Sequence, residues 1–175
     1  MDQPGPPSVL LLEVPAAEPV VASLRERLDS SAALGIPAHI TVLYPFVPAG
    51  QIGPELLARL AALFRGVAGF GFRLGRTDWF GENVLWLGPE PDAPFRDLSG
   101  LVCQEFPGSQ PYEGKFTEVV PHLTIGHGRP LAELREAERV VQPSLPVKAR
   151  ATSVSLYARP AEGACWTRTA TFALA

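Results

Sequence analysis

The chain has 175 residues, 46% of them apolar, enough for one domain with a substantial core or two small lobes that share one. Its formal charge is −3, with 13 Arg and 2 Lys, so it lacks the basic surplus needed to grip long nucleic acid by its phosphates. No apolar run approaches membrane length, no basic segment leads a secretory signal, and the two cysteines, Cys103 and Cys165, have no zinc or redox spacing; a cytoplasmic monomer without metal, cofactor or disulfide is expected.

Residues 1–7 read as a loose head. The apolar run 8–14, bounded by prolines, reads as a central strand. Over 18–28 the residues Val20, Val21, Leu24 and Leu28 form a helical stripe, with Arg25, Glu26 and Arg27 assigned to the outer face. Residues 37–46 read as a strand closed by prolines. A second helix spans 54–64, opened by Pro54 and stopped by Gly66. Residues 70–79 and 84–87 form a hairpin around Gly81-Glu82-Asn83. A third helix covers 94–106, a loop 108–114, and a strand begins at Pro121. A charged amphipathic helix spans 131–141, and strands 147–159 and 165–174 close the chain as a hairpin around Glu162-Gly163.

One phrase occurs twice. Pro37-Ala38-His39-Ile40-Thr41-Val42 is echoed by Pro121-His122-Leu123-Thr124-Ile125-Gly126. Strand side chains alternate, so each phrase puts His and Thr on one face and apolar residues on the other. The chain has three histidines, and two of them carry Thr two places on, which chance gives about one time in a hundred. The two motif histidines stand 83 positions apart, close to half the chain, and each half runs helix, His-x-Thr strand, helix, hairpin. That pattern predicts an α+β fold of two like lobes related by a pseudo-twofold axis, with both phrases in one cleft.

Two facing imidazoles suit proton transfer. One can be neutral and take a proton while the other is charged and gives one, which fits in-line displacement at phosphorus. The threonine hydroxyls can hold the non-bridging oxygens. A metal site would need a carboxylate beside His39, and none lies within a few residues; a serine hydrolase would need a G-x-S-x-G turn, and none occurs. A non-catalytic binder of nucleotides or phosphorylated ligands remains the alternative.

The tetrads His39-Ile40-Thr41-Val42 and His122-Leu123-Thr124-Ile125 resemble the paired motifs of the 2H phosphoesterase superfamily, most closely its bacterial 2′-5′ RNA ligase / RNA 2′,3′-cyclic phosphodiesterase family. The resemblance spans nearly the whole chain. It implies antiparallel sheets in two lobes with helices outside. It also implies metal-independent chemistry on 2′,3′-cyclic phosphate ends or 2′-5′ linkages of an RNA end or small nucleotide. His39 and His122 would be the acid–base pair and Thr41 and Thr124 the phosphate contacts, with His39 leaning toward leaving-group acid and His122 toward base. Many relatives place an Arg a few residues beyond the second motif. Here His127 stands there, followed by Arg129. His127 is thus either a substitute phosphate contact or a loop residue, and strict alternation points it away from His122 unless Gly126 ends the strand. Tyr44, beside the first motif, could stack a base, as could Trp79, Tyr157 and Trp166, although packing roles suit each of these as well.

Overall fold

The computed structural model describes residues 5–109 and 118–175. In chain order its elements are β1 (Val9–Glu13), α1 (Glu18–Leu28), α2 (Ser30–Ala33), β2 (His39–Leu43), α3 (Pro54–Arg65), β3 (Phe70–Phe80), β4 (Val84–Glu90), α4 (Ala93–Glu105), β5 (Leu123–His127), α5 (Leu131–Val141), β6 (Val147–Ala151), β7 (Ser153–Ala158) and β8 (Thr167–Ala173). Most of the loop expected at 108–114 lies outside the described residues. Of the head expected to be loose, the Pro6 carbonyl accepts from Ala49 N–H at 3.0 Å, and Pro7 forms a bridge with Pro48.

The strands form two antiparallel sheets. The first has the order β2-β1-β7-β8 and the second β5-β4-β3-β6. Read in parallel, these two orders express the pseudo-twofold relation: a His-x-Thr strand lies at one edge of each sheet, and its neighbour is the strand that opens the same half. Strands are exchanged between the halves, and the hairpin of residues 70–87 joins the last strand of one half to the first of the other. β3, from the first half, lies in the second sheet beside β4, and β7, from the second half, lies in the first sheet beside β1. One continuous core joins the inner faces of both sheets, with Leu10, Leu12, Ile40 and Val42 on one side and Leu85, Leu87, Leu123 and Ile125 on the other.

The segment 147–159 is two strands, where the sequence suggests one. The break falls at Thr152: β6 continues the second sheet along β3, and β7 crosses to the first sheet. The burial patterns give the reason. β6 alternates between buried and exposed positions, as suits a sheet edge, whereas Val154 to Tyr157 of β7 are buried without a break between two neighbouring strands.

Each helix that precedes a His-x-Thr strand packs against the other half's motif strand: α1 against β5, and α4 against β2. In α1 the inward stripe is Val21, Leu24, Arg25 and Leu28. Arg25 is therefore not on the outer face. It stands four residues after Val21 and three before Leu28, which is the spacing of the buried stripe itself.

Candidate active site

β2 and β5, the edge strands that carry the two motifs, lie against one another where the sheets meet. Each has an extra residue immediately after its threonine. Leu11 pairs with Thr41 and Leu10 with Leu43, so Val42 is bulged. Trp86 pairs with Thr124 and Leu85 with Gly126, so Ile125 is bulged. A bulge shifts the alternation by one and turns the residues beyond it to the other face. His127 therefore returns to the side of His122 and Thr124. Gly126 does not end the strand but lies inside β5. A Cβ there would sit 2.9 Å from Leu28 Cβ and 2.6 Å from Leu134 Cδ2, so only glycine lets α1 and α5 approach β5 this closely.

The two histidines are held alike. Nδ1–H of His39 donates to the Pro37 carbonyl at 2.8 Å, and Nδ1–H of His122 donates to the Val120 carbonyl at 2.7 Å. A carbonyl only accepts, so the proton of each neutral ring is fixed on Nδ1 and the lone pair is left on Nε2. Both rings are half-buried. The His39 imidazole is pushed down to about 4, first by burial and then by the Arg25 guanidinium, while the Pro37 carbonyl and Asp29 pull the other way and His122 adds a small repulsion. Burial lowers the His122 imidazole as well, against the opposing pull of the Val120 carbonyl.

A cavity of about 540 Å³ opens beside His122, lined by Phe80, Val84, Glu118, Val120, His122, Thr124 and His127. Phe80 stacks on Trp86 with ring centroids 4.8 Å apart and meets the His122 ring edge-on at 4.9 Å. Among the described residues, Trp86 Nε1 is buried without a hydrogen-bond partner. Neither aromatic is among the residues that the sequence singles out, yet Phe80, Val84 and Trp86 alternate around the Gly81 turn onto one face of the hairpin, a signal that the sequence does carry. His39 and Thr41 do not line this cavity, and neither does Arg129, which is exposed beyond Gly128. Tyr44 follows the first bulge as His127 follows the second. It packs edge-on to Trp166 at 6.3 Å, over a small apolar group of Val9, Leu11, Ile36 and Tyr157 on the side of the first sheet away from the main core. Trp79 faces elsewhere: its Nε1–H donates to Glu138 at 3.0 Å, and Arg135 lies over its ring. The Tyr157 hydroxyl donates to Glu13 at 3.0 Å.

Arg25 ties the site together. Its guanidinium is buried and pairs with Asp29 at 2.9 Å. It also donates to the carbonyls of Thr124 at 3.2 Å and Ile36 at 3.3 Å, and so reaches the backbone of the second motif and of the segment that enters the first. From the other half, Ser99 Oγ of α4 donates at 2.6 Å to the carbonyl of the bulged Val42. Among the described residues no three His, Cys, Asp or Glu side chains converge to hold a metal, and no helix is long and apolar enough to cross a membrane.

The sequence profile of the 2′-5′ RNA ligase superfamily matches residues 12–163. The chain belongs to that superfamily. The match takes in both tetrads, in agreement with the resemblance to the 2H phosphoesterases. No curated protein sequence matches the chain. Solved structures show the same fold over nearly the full length. The superfamily member is similar to E. coli LigT in complex with 3′-AMP, with 18% identity, coverage of 98% of this chain and 99% of that one, and a TM-score of 0.60. The ATP complex of E. coli LigT gives 21% identity, 98% and 99% coverage and a TM-score of 0.59. The protein TT0787 of Thermus thermophilus gives 23% identity, 97% and 98% coverage and a TM-score of 0.62.

Proposed function

We propose that the protein is a phosphodiesterase that opens 2′,3′-cyclic phosphates, or cuts 2′-5′ linkages, of small nucleotides or RNA ends, with His39 and His122 as the acid–base pair and Thr41 and Thr124 as phosphate contacts. The observation that carries this reading is the matched pose of the imidazoles, each with Nδ1–H on a backbone carbonyl and Nε2 left bare. In hydrolysis one imidazole takes a proton from water as the water oxygen bonds to phosphorus. The other gives a proton to the departing ribose oxygen as its bond to phosphorus breaks. Charge on the phosphoryl oxygens is met by the hydroxyls. No step in this sequence draws on a metal.

The size of the ligand follows from the site. A cavity of about 540 Å³ with an aromatic wall suits a nucleoside, and E. coli LigT has been solved with 3′-AMP and with ATP. The net charge of −3 favours a ligand gripped at one end. His127 lines the same cavity and would add a phosphate contact. The chain works as one bilobal domain over 1–175, as a monomer. Its two cysteines, both free, suit the reducing cytoplasm.

The test is a panel of 2′,3′-cyclic nucleotides and 2′-5′ dinucleotides incubated with the protein and excess EDTA, with the phosphate isomer of each product identified. Opening of at least one member is expected. Tight binding with no opening across pH 5 to 9 would instead mark a binding module, and turnover that EDTA abolishes and a divalent ion restores would reject the metal-free mechanism.

A further inference from the structure

We propose that the open face of the second sheet seats the tail of a polynucleotide, so that the site prefers the end of a short single-stranded RNA to a mononucleotide. The inference rests on the reading above and narrows its substrate class.

Register and burial define that face. Trp86 of β4 pairs with Thr124 of β5 and with Asp78 of β3. Further along, Arg76 pairs with Gly88, Arg73 with both Glu90 and Lys148, and Gly71 with Arg150. Residues paired directly across antiparallel strands point the same way, so all of these stand on the side of Thr124. On β3 the positions 71, 73, 76, 78 and 80 are exposed. Phe72 and Leu74 enter the core, and Thr77 and Trp79 turn to Glu138 of α5. The extra residue between Leu74 and Arg76 keeps Arg73 and Arg76 on one face although they are three apart.

The cations continue the aromatic wall of the site. Trp86 lies 5.8 Å from the His122 ring. On another side of the indole is Arg76, let in by Gly88: a Cβ at Gly88 would stand 3.3 Å from both Arg76 Cζ and Trp86 Cζ3. Glu90 then holds two guanidiniums side by side, Arg76 at 3.2 Å on one oxygen and Arg73 at 2.9 Å on the other. Both arginines stay more than half exposed and keep N–H groups for phosphate. Arg150 donates to the Gly69 carbonyl at 3.2 Å, and Lys148 is exposed. Four cations thus face two carboxylates, Asp78 and Glu90, a local surplus of two on a chain whose formal charge is −3. Three strand spacings separate β5 from β6, about 14 Å, which suits a few nucleotides and not a long strand. The matching side of the first sheet carries an apolar group instead, Val9, Leu11 and Tyr157 with Tyr44 and Trp166, and its Arg168 is turned to Glu13 at 3.3 Å. Cations that follow an aromatic pair suit alternating bases and phosphates better than an acidic peptide.

Binding decides the matter without turnover. The probe is a labelled single-stranded RNA tetranucleotide with a 3′-phosphate, followed by fluorescence anisotropy in EDTA, with a nucleoside 3′-monophosphate as competitor. The tetranucleotide is expected to bind about tenfold or more tightly, and log affinity should fall against log salt by about 0.7 for each phosphate of the tail engaged. Arg73→Gln/Arg76→Gln and Lys148→Gln/Arg150→Gln should each cut that advantage about threefold or more. The second pair is exposed on the edge strand β6 and serves if the first fails to fold. Arg27→Gln/Arg139→Gln removes the same charge from exposed positions on α1 and α5 and should leave the advantage as it is. Equal affinity for tetranucleotide and monophosphate, an equal loss in the Arg27/Arg139 variant, or displacement of the tetranucleotide by tetraglutamate would each overturn the proposal. If the protein opens no phosphodiester, the proposed function fails by itself, and the binding series still decides what the cationic face holds.

Discussion

His39 and His122 adopt the same pose in opposite halves of the chain: each gives its Nδ1 proton to the carbonyl two residues upstream, that of Pro37 or Val120. Second-partner bonds of this kind fix both tautomer and ring direction. His39→Ala and His122→Ala should each lower turnover by about two to four orders of magnitude. His39→Asn and His122→Asn keep an N–H near the carbonyl but have no Nε2, and should lose as much. Thr41→Ala and Thr124→Ala should cost about 1–3 kcal/mol each, the loss of a hydroxyl bond to a charged group. Steady-state kinetics on the most active member of the nucleotide panel measures all six. An Asn variant with near wild-type turnover would remove Nε2 from the mechanism.

The pH dependence has a definite place. The proposed mechanism needs one imidazole neutral and the other protonated, so kcat/KM should follow a bell. His39 is pushed down to about 4 and His122 is lowered from 6.5, so the bell should lie on the acid side of neutrality. Its limbs belong to the coupled pair. A plateau at and above pH 8 would contradict the pairing.

Stability should carry the mark of His39 too. Its folded value of about 4 lies below its ordinary 6.5, so the unfolded chain takes up the proton first. The folded state holds its full margin above about 6.5, loses it as pH falls from 6.5 to 4, and loses nothing further from this group below that. Urea midpoints of wild type minus those of His39→Asn, measured over the same range, isolate the effect from the carboxylates. The wild type should lose more than the variant on acidification.

Gly126 should tolerate no side chain. Its Cβ would lie 2.9 Å from Leu28 Cβ, which cannot rotate away, and 2.6 Å from Leu134 Cδ2. Gly126→Ala is expected to cost about 1–3 kcal/mol, read from denaturant unfolding. Gly71, on β3, has nothing within 4 Å of the same position, so Gly71→Ala is the matched control and should be nearly neutral.

Phe80 forms the aromatic wall beside His122. Phe80→Ala should weaken nucleotide binding by about 1–3 kcal/mol, the usual worth of a base stacked on an aromatic ring, and should raise KM more than it lowers kcat. Calorimetry with a nucleoside monophosphate against ribose phosphate checks this. If the variant weakens both ligands equally, the ring holds no base.

The strands, helices and paired motifs are readable in the sequence because each depends on local spacing: Val20, Val21, Leu24 and Leu28 for α1, His-x-Thr alternation for β2 and β5. What escapes such reading depends on partners distant in the chain. The bulges at Val42 and Ile125 appear only once β1 and β4 are paired to these strands, and the side on which His127 lies follows from the second of them. Arg25 reads as outward when charge outweighs position, although its spacing from Val21 and Leu28 puts it inward. A buried arginine becomes plausible only when Asp29 and two carbonyls are seen to receive it. The break at Thr152 is hidden because one uninterrupted strand-like stretch, free of Gly and Pro, serves two different sheets in succession.

The strands exchanged between the sheets restrict how the chain can fold. The residues up to the end of β3 hold β1 and β2 without the β7 neighbour that covers β1, and β3 then has no sheet to join. Each sheet is complete only when the other half of the chain is present, so the two His-x-Thr strands come to lie against one another only in the full fold. Opening either half strips a strand from the other, and the two halves should therefore unfold as one unit.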